Sequence, residues 1–392
     1  MGISIFFLAL VFGIHIVAVN VGIALATLVP ILKRRAESTG DSQLVEASRG
    51  LFRIYAATYA LAGVMGTAFT VFLLSFYPEF VGVAGNITMV PFGIAIVAIV
   101  LHFFAIVAYW YGWDAFDSRT HFYTGVLLTV TAYLIPLGFR AVFAFLNTPI
   151  GLEFDGKPSL NVLQALANPT FLPLYLKSVV GALALGALFV SAVFAFKGLR
   201  SGELSGAEES LYLDGLKWGT VGLFAMAILG AWYAVSLTNT PIKFNNIFSS
   251  LGWAIQGVQR FSDYSWLFLL KMALVVLQAY LLLELMVLRP GEAATKRGYT
   301  YSILAAVLAA LTVLTGEYLN AFSQYPYFVA NLPLVASSVP EPWRTILGRS
   351  LDLRNTSPLA LDPALYSVTI LALVVLFAAA GYFLYVVFFK KE

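Results

Sequence analysis

Nine stretches of roughly twenty apolar residues recur along the chain, at approximately 4–31, 54–76, 89–112, 122–147, 172–196, 217–236, 264–288, 299–320 and 364–388. As helices rising about 1.5 Å per residue, each is long enough to cross about 30 Å of hydrocarbon. Of the 392 residues 60% are hydrophobic and only 11% charged, a balance far from that of soluble domains. The expected fold is an all-α integral membrane protein with about nine transmembrane helices. Residues 1–392 then form a single polytopic membrane domain in the cell (plasma) membrane.

The first run stops at Lys33-Arg34-Arg35, and basic residues concentrate in alternate loops from there on. Arg49, Arg53, Arg119, Lys197, Arg200, Lys217, Arg289, Lys296, Arg297, Lys390 and Lys391 all fall on the same side. The positive-inside rule makes that side cytoplasmic, with the N-terminus outside and the C-terminus inside. The three longer connections, 148–171, 237–263 and 321–363, then lie outside, where a ligand would enter. The N-terminal run lacks a basic n-region and is too long for an h-region, so a membrane span is expected rather than a cleavable signal. A net charge of +3, carried mostly at helix ends, leaves no nucleic-acid footprint. With no cysteine, the chain has no disulfide, no iron–sulfur ligand and no covalent c-type haem attachment.

Ionisable groups at membrane depth are costly and face protein, cofactor or water. His15 lies near the middle of the first run, His102 is mid-helix in the third, and His121 stands at the inner mouth of the fourth. Arg140, Lys177, Lys271 and Glu317 sit in the outer halves of their runs: three cations against one carboxylate. Unpaired charge at that depth calls for an anionic companion, such as haem propionates or a quinone-like or carboxylate ligand. Snorkelling to the headgroups is the bland alternative for Lys177.

Haem iron in a membrane takes His, Met or occasionally other axial ligands between helices. His15 is the leading candidate ligand. Met272, beside Lys271, is a second, and His102 and His121 are further ones. Alternatively His102 is a stop on a proton path, and His121 simply bonds a loop carbonyl. Aromatic runs such as Tyr109-Trp110-Tyr111 line a cofactor or form interfacial belts. Gly63–Gly66 and Gly181–Gly186 read as close helix packing.

Several motifs, in order, resemble subunit I of cytochrome bd-type quinol oxidases. His15 resembles that family's first-helix haem ligand. Tyr59-Ala60-Leu61-Ala62-Gly63-Val64-Met65-Gly66-Thr67 is similar to its glycine-containing second helix. Gly112-Trp113-Asp114, His121, Asn147-Thr148-Pro149-Ile150-Gly151, Asn168-Pro169 and Gln324-Tyr325-Pro326-Tyr327 follow the same order. The resemblance implies about nine helices, b-type haem, a quinone site and partner membrane subunits in a respiratory complex, possible homologous partners included.

The departures bear on the ligand set. Lys177 stands where the family has the histidine ligand of its low-spin haem, Met272 is the nearest match to that haem's methionine, and Lys271 stands for the neighbouring arginine. Glu317 matches the family's eighth-helix glutamate loosely, about one turn displaced. Ile94 and His102 replace two acidic residues on the family's proton route, and Leu237–Asp263 lacks the acidic opening of its quinol-binding loop. The expected protein is therefore a membrane subunit of a respiratory electron-transfer complex that binds haem with a degenerate ligand set. In it Arg140, Lys177 or Lys271 neutralise propionates. Two other classes stand beside it: a haem-free structural partner subunit, and a small-molecule or ion transporter, for which Pro91 and Pro136 are the candidate helix breaks.

Overall fold

In a computed structural model of the chain, residues 3–357 and 362–389 are described. Long helices dominate: α1 (Ile3–Thr39), α2 (Ser42–Phe76), a short α3 (Pro78–Ile87), α4 (Met89–Tyr111) and α5 (Ser118–Asn147). A hairpin of β1 (Leu152–Asp155) and β2 (Lys157–Leu160) and the one-turn α6 (Val162–Leu166) lead into α7 (Phe171–Ser201) and α8 (Gly206–Ser236). The short α9 (Pro241–Phe248) precedes α10 (Ser265–Leu283), α11 (Lys296–Phe322), two short helices α12 (Leu332–Val335) and α13 (Trp343–Ser350), and α14 (Pro363–Phe389).

Among the described residues eight helices are long and apolar enough to span a bilayer: α1, α2, α4, α5, α7, α8, α10 and α11. They coincide with the first eight apolar runs. The ninth run falls on α14, whose apolar part among the described side chains is the shorter stretch Tyr366–Tyr382. Several helices overrun their apolar runs at one end, as α1 does to Thr39 and α8 from Gly206. Helical backbone bonds continue into charged sequence; α1 gives way at Gly40, whose φ is +69°, and side chains fix the starts of α2 and α8. Asp41 caps α2 through Leu44 N, and Ser205 and Glu208 form a reciprocal capping box on α8. The small hairpin and the short helices of the longer connections carry no sequence periodicity long enough to announce them.

Packing places α1 at the centre. It touches α2, α5, α7 and α11, while α2, α4, α8 and α10 pack as the outer partners of α1, α5, α7 and α11 respectively. The main core gathers Val21, Leu25 and Val29 of α1 with Leu51, Phe52 and Tyr55 of α2, Leu128 of α5, and Leu185 and Leu188 of α7. A second apolar cluster joins the opposite ends of α1, α2 and α5 to α3 and the 321–357 segment, with Phe80 stacked on Phe328. That end, assigned outside by loop charge, is called the outer end below.

Candidate functional site

His15 occupies the central helix and is held by α2. Its Nδ1 lies 2.8 Å from the Ala62 carbonyl oxygen. A carbonyl only accepts, so Nδ1 carries the hydrogen and Nε2 of the neutral ring keeps its lone pair. Nε2 finds no hydrogen-bond partner among the described residues, and the side chain is only half-buried. Gly66, one turn beyond Ala62, makes room for the ring: a Cβ there would sit 2.9 Å from the imidazole Cε1. Phe12 lies beside the imidazole at 6.2 Å between ring centres and is itself packed against Phe69 and Phe143.

One element further round, the charged groups gather. The Arg140 guanidinium on α5 lies over the Phe143 ring at 5.3 Å and 3.6 Å from Glu317 Oε1 on α11. The other carboxylate oxygen of Glu317 is buried without a hydrogen-bond partner. Lys177 on α7 places its amine 5.2 Å from the ring centre of Tyr233 on α8. Lys271 on α10 places its amine in the notch left by Gly316 on α11, 3.2 Å from where a Cβ would be. Glu317 is within electrostatic reach of His15, Lys177 and Lys271 alike. The expected cluster of Arg140, Lys177, Lys271 and Glu317 is thus brought together, beside His15. Met272 is half-buried on the neighbouring position of α10.

A fourth cation belongs to this cluster and was not expected. Lys243 of α9 is 1% exposed and donates to Asn147 Oδ1 at 2.8 Å and Asn320 Oδ1 at 2.5 Å. Burial pushes its amine down to about 7, with Glu317 pulling it up and Lys177 pushing it further down. Asn147 lies two turns beyond Arg140 on α5, and Asn320 one turn beyond Glu317 on α11. A polar column therefore runs from the Arg140–Glu317 pair outward to Lys243. Gln324 extends it by bonding Asn147 Oδ1 at 3.3 Å. The available signal was a single lysine in the apolar, asparagine-rich Pro241-Ile242-Lys243-Phe244-Asn245-Asn246 stretch.

The other two histidines lie elsewhere, at the α2–α4–α5 contact. His102 has both ring nitrogens engaged, Nε2 with Tyr55 Oη at 2.6 Å and Nδ1 with Thr131 Oγ1 at 2.7 Å. Thr131 in turn donates to the Leu127 carbonyl at 2.8 Å. In this arrangement no nitrogen of His102 is open to an iron. His121 puts Nε2 3.0 Å from the Tyr109 carbonyl and lies against the Tyr109 ring at 4.1 Å. The structure therefore separates His102 and His121 from the cluster around His15.

A haem implied by the resemblance can be tested against these residues. An imidazole oriented by a backbone carbonyl, with its other nitrogen open, is the usual arrangement of an axial ligand. The aromatic border and the neighbouring guanidinium suit a macrocycle with carboxylate substituents. The residues around His15 fit such a group; Lys177 supplies no second iron ligand as long as its amine is protonated, because an ammonium has no lone pair.

Comparison with known proteins gives the same direction. The family described as "Cytochrome bd terminal oxidase subunit I" matches residues 3–247. "Putative cytochrome bd menaquinol oxidase subunit I" of Bacillus subtilis (strain 168) is 25% identical over 191 residues, 48% of this chain. That alignment spans only 43% of the relative's own length. The solved structure of bd oxidase from Geobacillus thermodenitrificans superposes with a TM-score of 0.81 at 17% identity, covering 99% of this chain and 98% of that one. At that identity the likeness is one of fold.

Proposed function

The chain belongs to the cytochrome bd terminal oxidase subunit I family, and on that premise we propose that it is a haem-binding subunit of a respiratory electron-transfer complex. It works in the membrane beside other subunits, a homologous one among the candidates, with quinone as a candidate electron carrier. The single observation that carries the haem assignment is the His15–Ala62 hydrogen bond, which orients the imidazole and leaves Nε2 free.

When bound, haem iron supplies one-electron chemistry between its two oxidation states. The chain's own residues do the rest. His15 would hold the iron through Nε2, and its ring cannot rotate without losing the Ala62 carbonyl. Phe12, backed by Phe69 and Phe143, gives the imidazole an apolar neighbour. Arg140, held by Glu317 at 3.6 Å, would meet a propionate. The Tyr55–His102–Thr131 chain is structural in this reading, being satisfied at every nitrogen and hydroxyl.

A second reading is favoured by one residue. Lys177 stands at the position of the family's low-spin histidine, so a haem-free structural partner would use the same fold without metal. The two readings separate in the visible spectrum of purified protein. His15→Ala is expected to lower the haem-to-protein ratio or leave a pentacoordinate haem, with yield and helicity kept. An unchanged spectrum and ratio in His15→Ala would remove His15 from the ligand set.

A further inference from the structure

We propose that the cavity between the inner ends of α1, α2 and α8 binds a phospholipid whose headgroup ends in a primary amine, with the phosphate on Arg35 and the ammonium on Asp214 and Asp41. This does not depend on haem at His15. The cavity, of about 370 Å³, lies in the wedge where the start of α8 comes up against the turn from α1 to α2. Its apolar floor is made by the buried Leu32 of α1, Leu44 of α2 and Leu211 of α8. A space of that size falls within the range of small-ligand clefts.

Opposite charges line this space without using each other. Of the three basic residues that end the first apolar run, Lys33 pairs with Glu37 at 2.6 Å and Arg34 donates to Ser118 Oγ at 2.7 Å, where α5 begins. Arg35 lines the cavity instead, and its exposed guanidinium has no hydrogen bond or ion pair among the described residues. Asp214, half-buried on the α8 wall, is likewise without a partner among them. Asp41 spends Oδ1 on Leu44 N at 3.0 Å, capping α2, and keeps Oδ2 open. A guanidinium and two carboxylates around one apolar-floored space match a zwitterion: the guanidinium's paired donors suit a phosphate, and an ammonium's three donors need acceptor oxygens.

Depth and surroundings make that zwitterion a lipid. Arg35 directly follows the first apolar run, at the level where basic residues meet the inner headgroups. On α8 the exposed Trp218 stands one turn beyond Asp214, and indoles mark the same level. Residues three and four apart share a helix face. The face of α8 that Ala207, Leu211 and Asp214 present to the cavity therefore continues into the bilayer through Trp218 and the exposed Val221. On α1 the exposed Ile31, one turn before Arg35, does the same. A headgroup in the cavity has its acyl chains leading out along these apolar side chains, which a free zwitterion would leave uncovered.

The test uses the full chain, purified in neutral detergent and stripped of lipid. Phosphatidylethanolamine in mixed micelles is expected to raise Tm and to stay bound in native mass spectrometry. Phosphatidylglycerol, which lacks the amine, and phosphatidylcholine, whose quaternary ammonium has no N–H, should bind about tenfold more weakly, the loss expected from one charge-assisted hydrogen bond. Arg35→Gln and, separately, Asp214→Asn should each weaken phosphatidylethanolamine binding by about the same factor. Arg35→Lys and Asp214→Glu should retain it, with the lipid-free Tm of all four variants unchanged, which separates recognition from folding. Equal retention of the three lipids by the wild-type chain would overturn the proposal, whether or not any variant folds. So would a full response to phosphatidylethanolamine in Arg35→Gln or Asp214→Asn, or soluble phosphoethanolamine reproducing the whole Tm rise, which would make the ligand a free zwitterion.

Discussion

A histidine's role in this bundle is decided by what its two nitrogens touch. His15 and His102 are both mid-membrane imidazoles in apolar runs, and nothing in the sequence ranks them beyond position. Tyr55 and Thr131, which occupy both nitrogens of His102, lie 47 and 29 residues away on other helices, and a single sequence does not give the rotational phase of those helices. His15 was legible as the one ionisable group of the apolar run 4–31, whereas the Ala62 carbonyl that orients it was not, because any residue supplies a carbonyl. Lys243 was missed for a different reason: it stands in a loop helix of eight residues, too short for periodicity to mark it as buried. It also gives a pH test. Unfolded, the amine titrates at 10.5 and folded at about 7, so between those values the unfolded chain binds the extra proton. Stability therefore rises as pH climbs from 7 towards 10.5, and the full penalty, on the order of a few kcal/mol, is present below 7. Lys243→Met should flatten the rise of Tm between pH 7 and 10; an undiminished slope would mean that this amine is not the buried titrating group.

Helices were the most legible element, since a run long enough to cross a bilayer announces itself regardless of context. Their ends were not, because α1 runs on through charged residues to Gly40 and α8 already begins among charged residues at the Ser205 capping box. Helix pairing was legible only as small-residue spacing. Gly63 and Gly66 read alike in the sequence, yet a Cβ at Gly63 meets nothing within 4 Å while one at Gly66 strikes the His15 ring. Their substitutions should therefore differ. Gly66→Val is expected to push the imidazole off the Ala62 carbonyl, at a cost of about 1–3 kcal/mol for overpacking, and to lower the haem-to-protein ratio. Gly63→Ala should leave that ratio unchanged. Equal haem retention in the two variants would show that the α1–α2 crossing does not position His15.

At the scale of the whole molecule, α1 packs chiefly against α2, α5, α7 and α11 and also meets α14 through Ser4 and Tyr366, so the residue at its middle is surrounded by groups from α2, α5 and α11, and among the described residues Glu317 is the carboxylate near it, shared with three lysines and an arginine. The expectation of an anionic companion came from counting charges along the sequence; the structure adds that Arg140 pairs with Glu317 at 3.6 Å, that Lys177 and Lys271 have no carboxylate within 4 Å among the described residues, and that Lys243 is held by Asn147 and Asn320. The proposed function places one prosthetic group beside His15. The most direct check is the absorption spectrum of the wild-type chain purified from haem-replete cells, read together with its haem-to-protein ratio. A Soret band that co-elutes with the chain through gel filtration is the predicted result. Chain that is folded and helical but carries no Soret absorption would contradict it and leave the haem-free structural subunit.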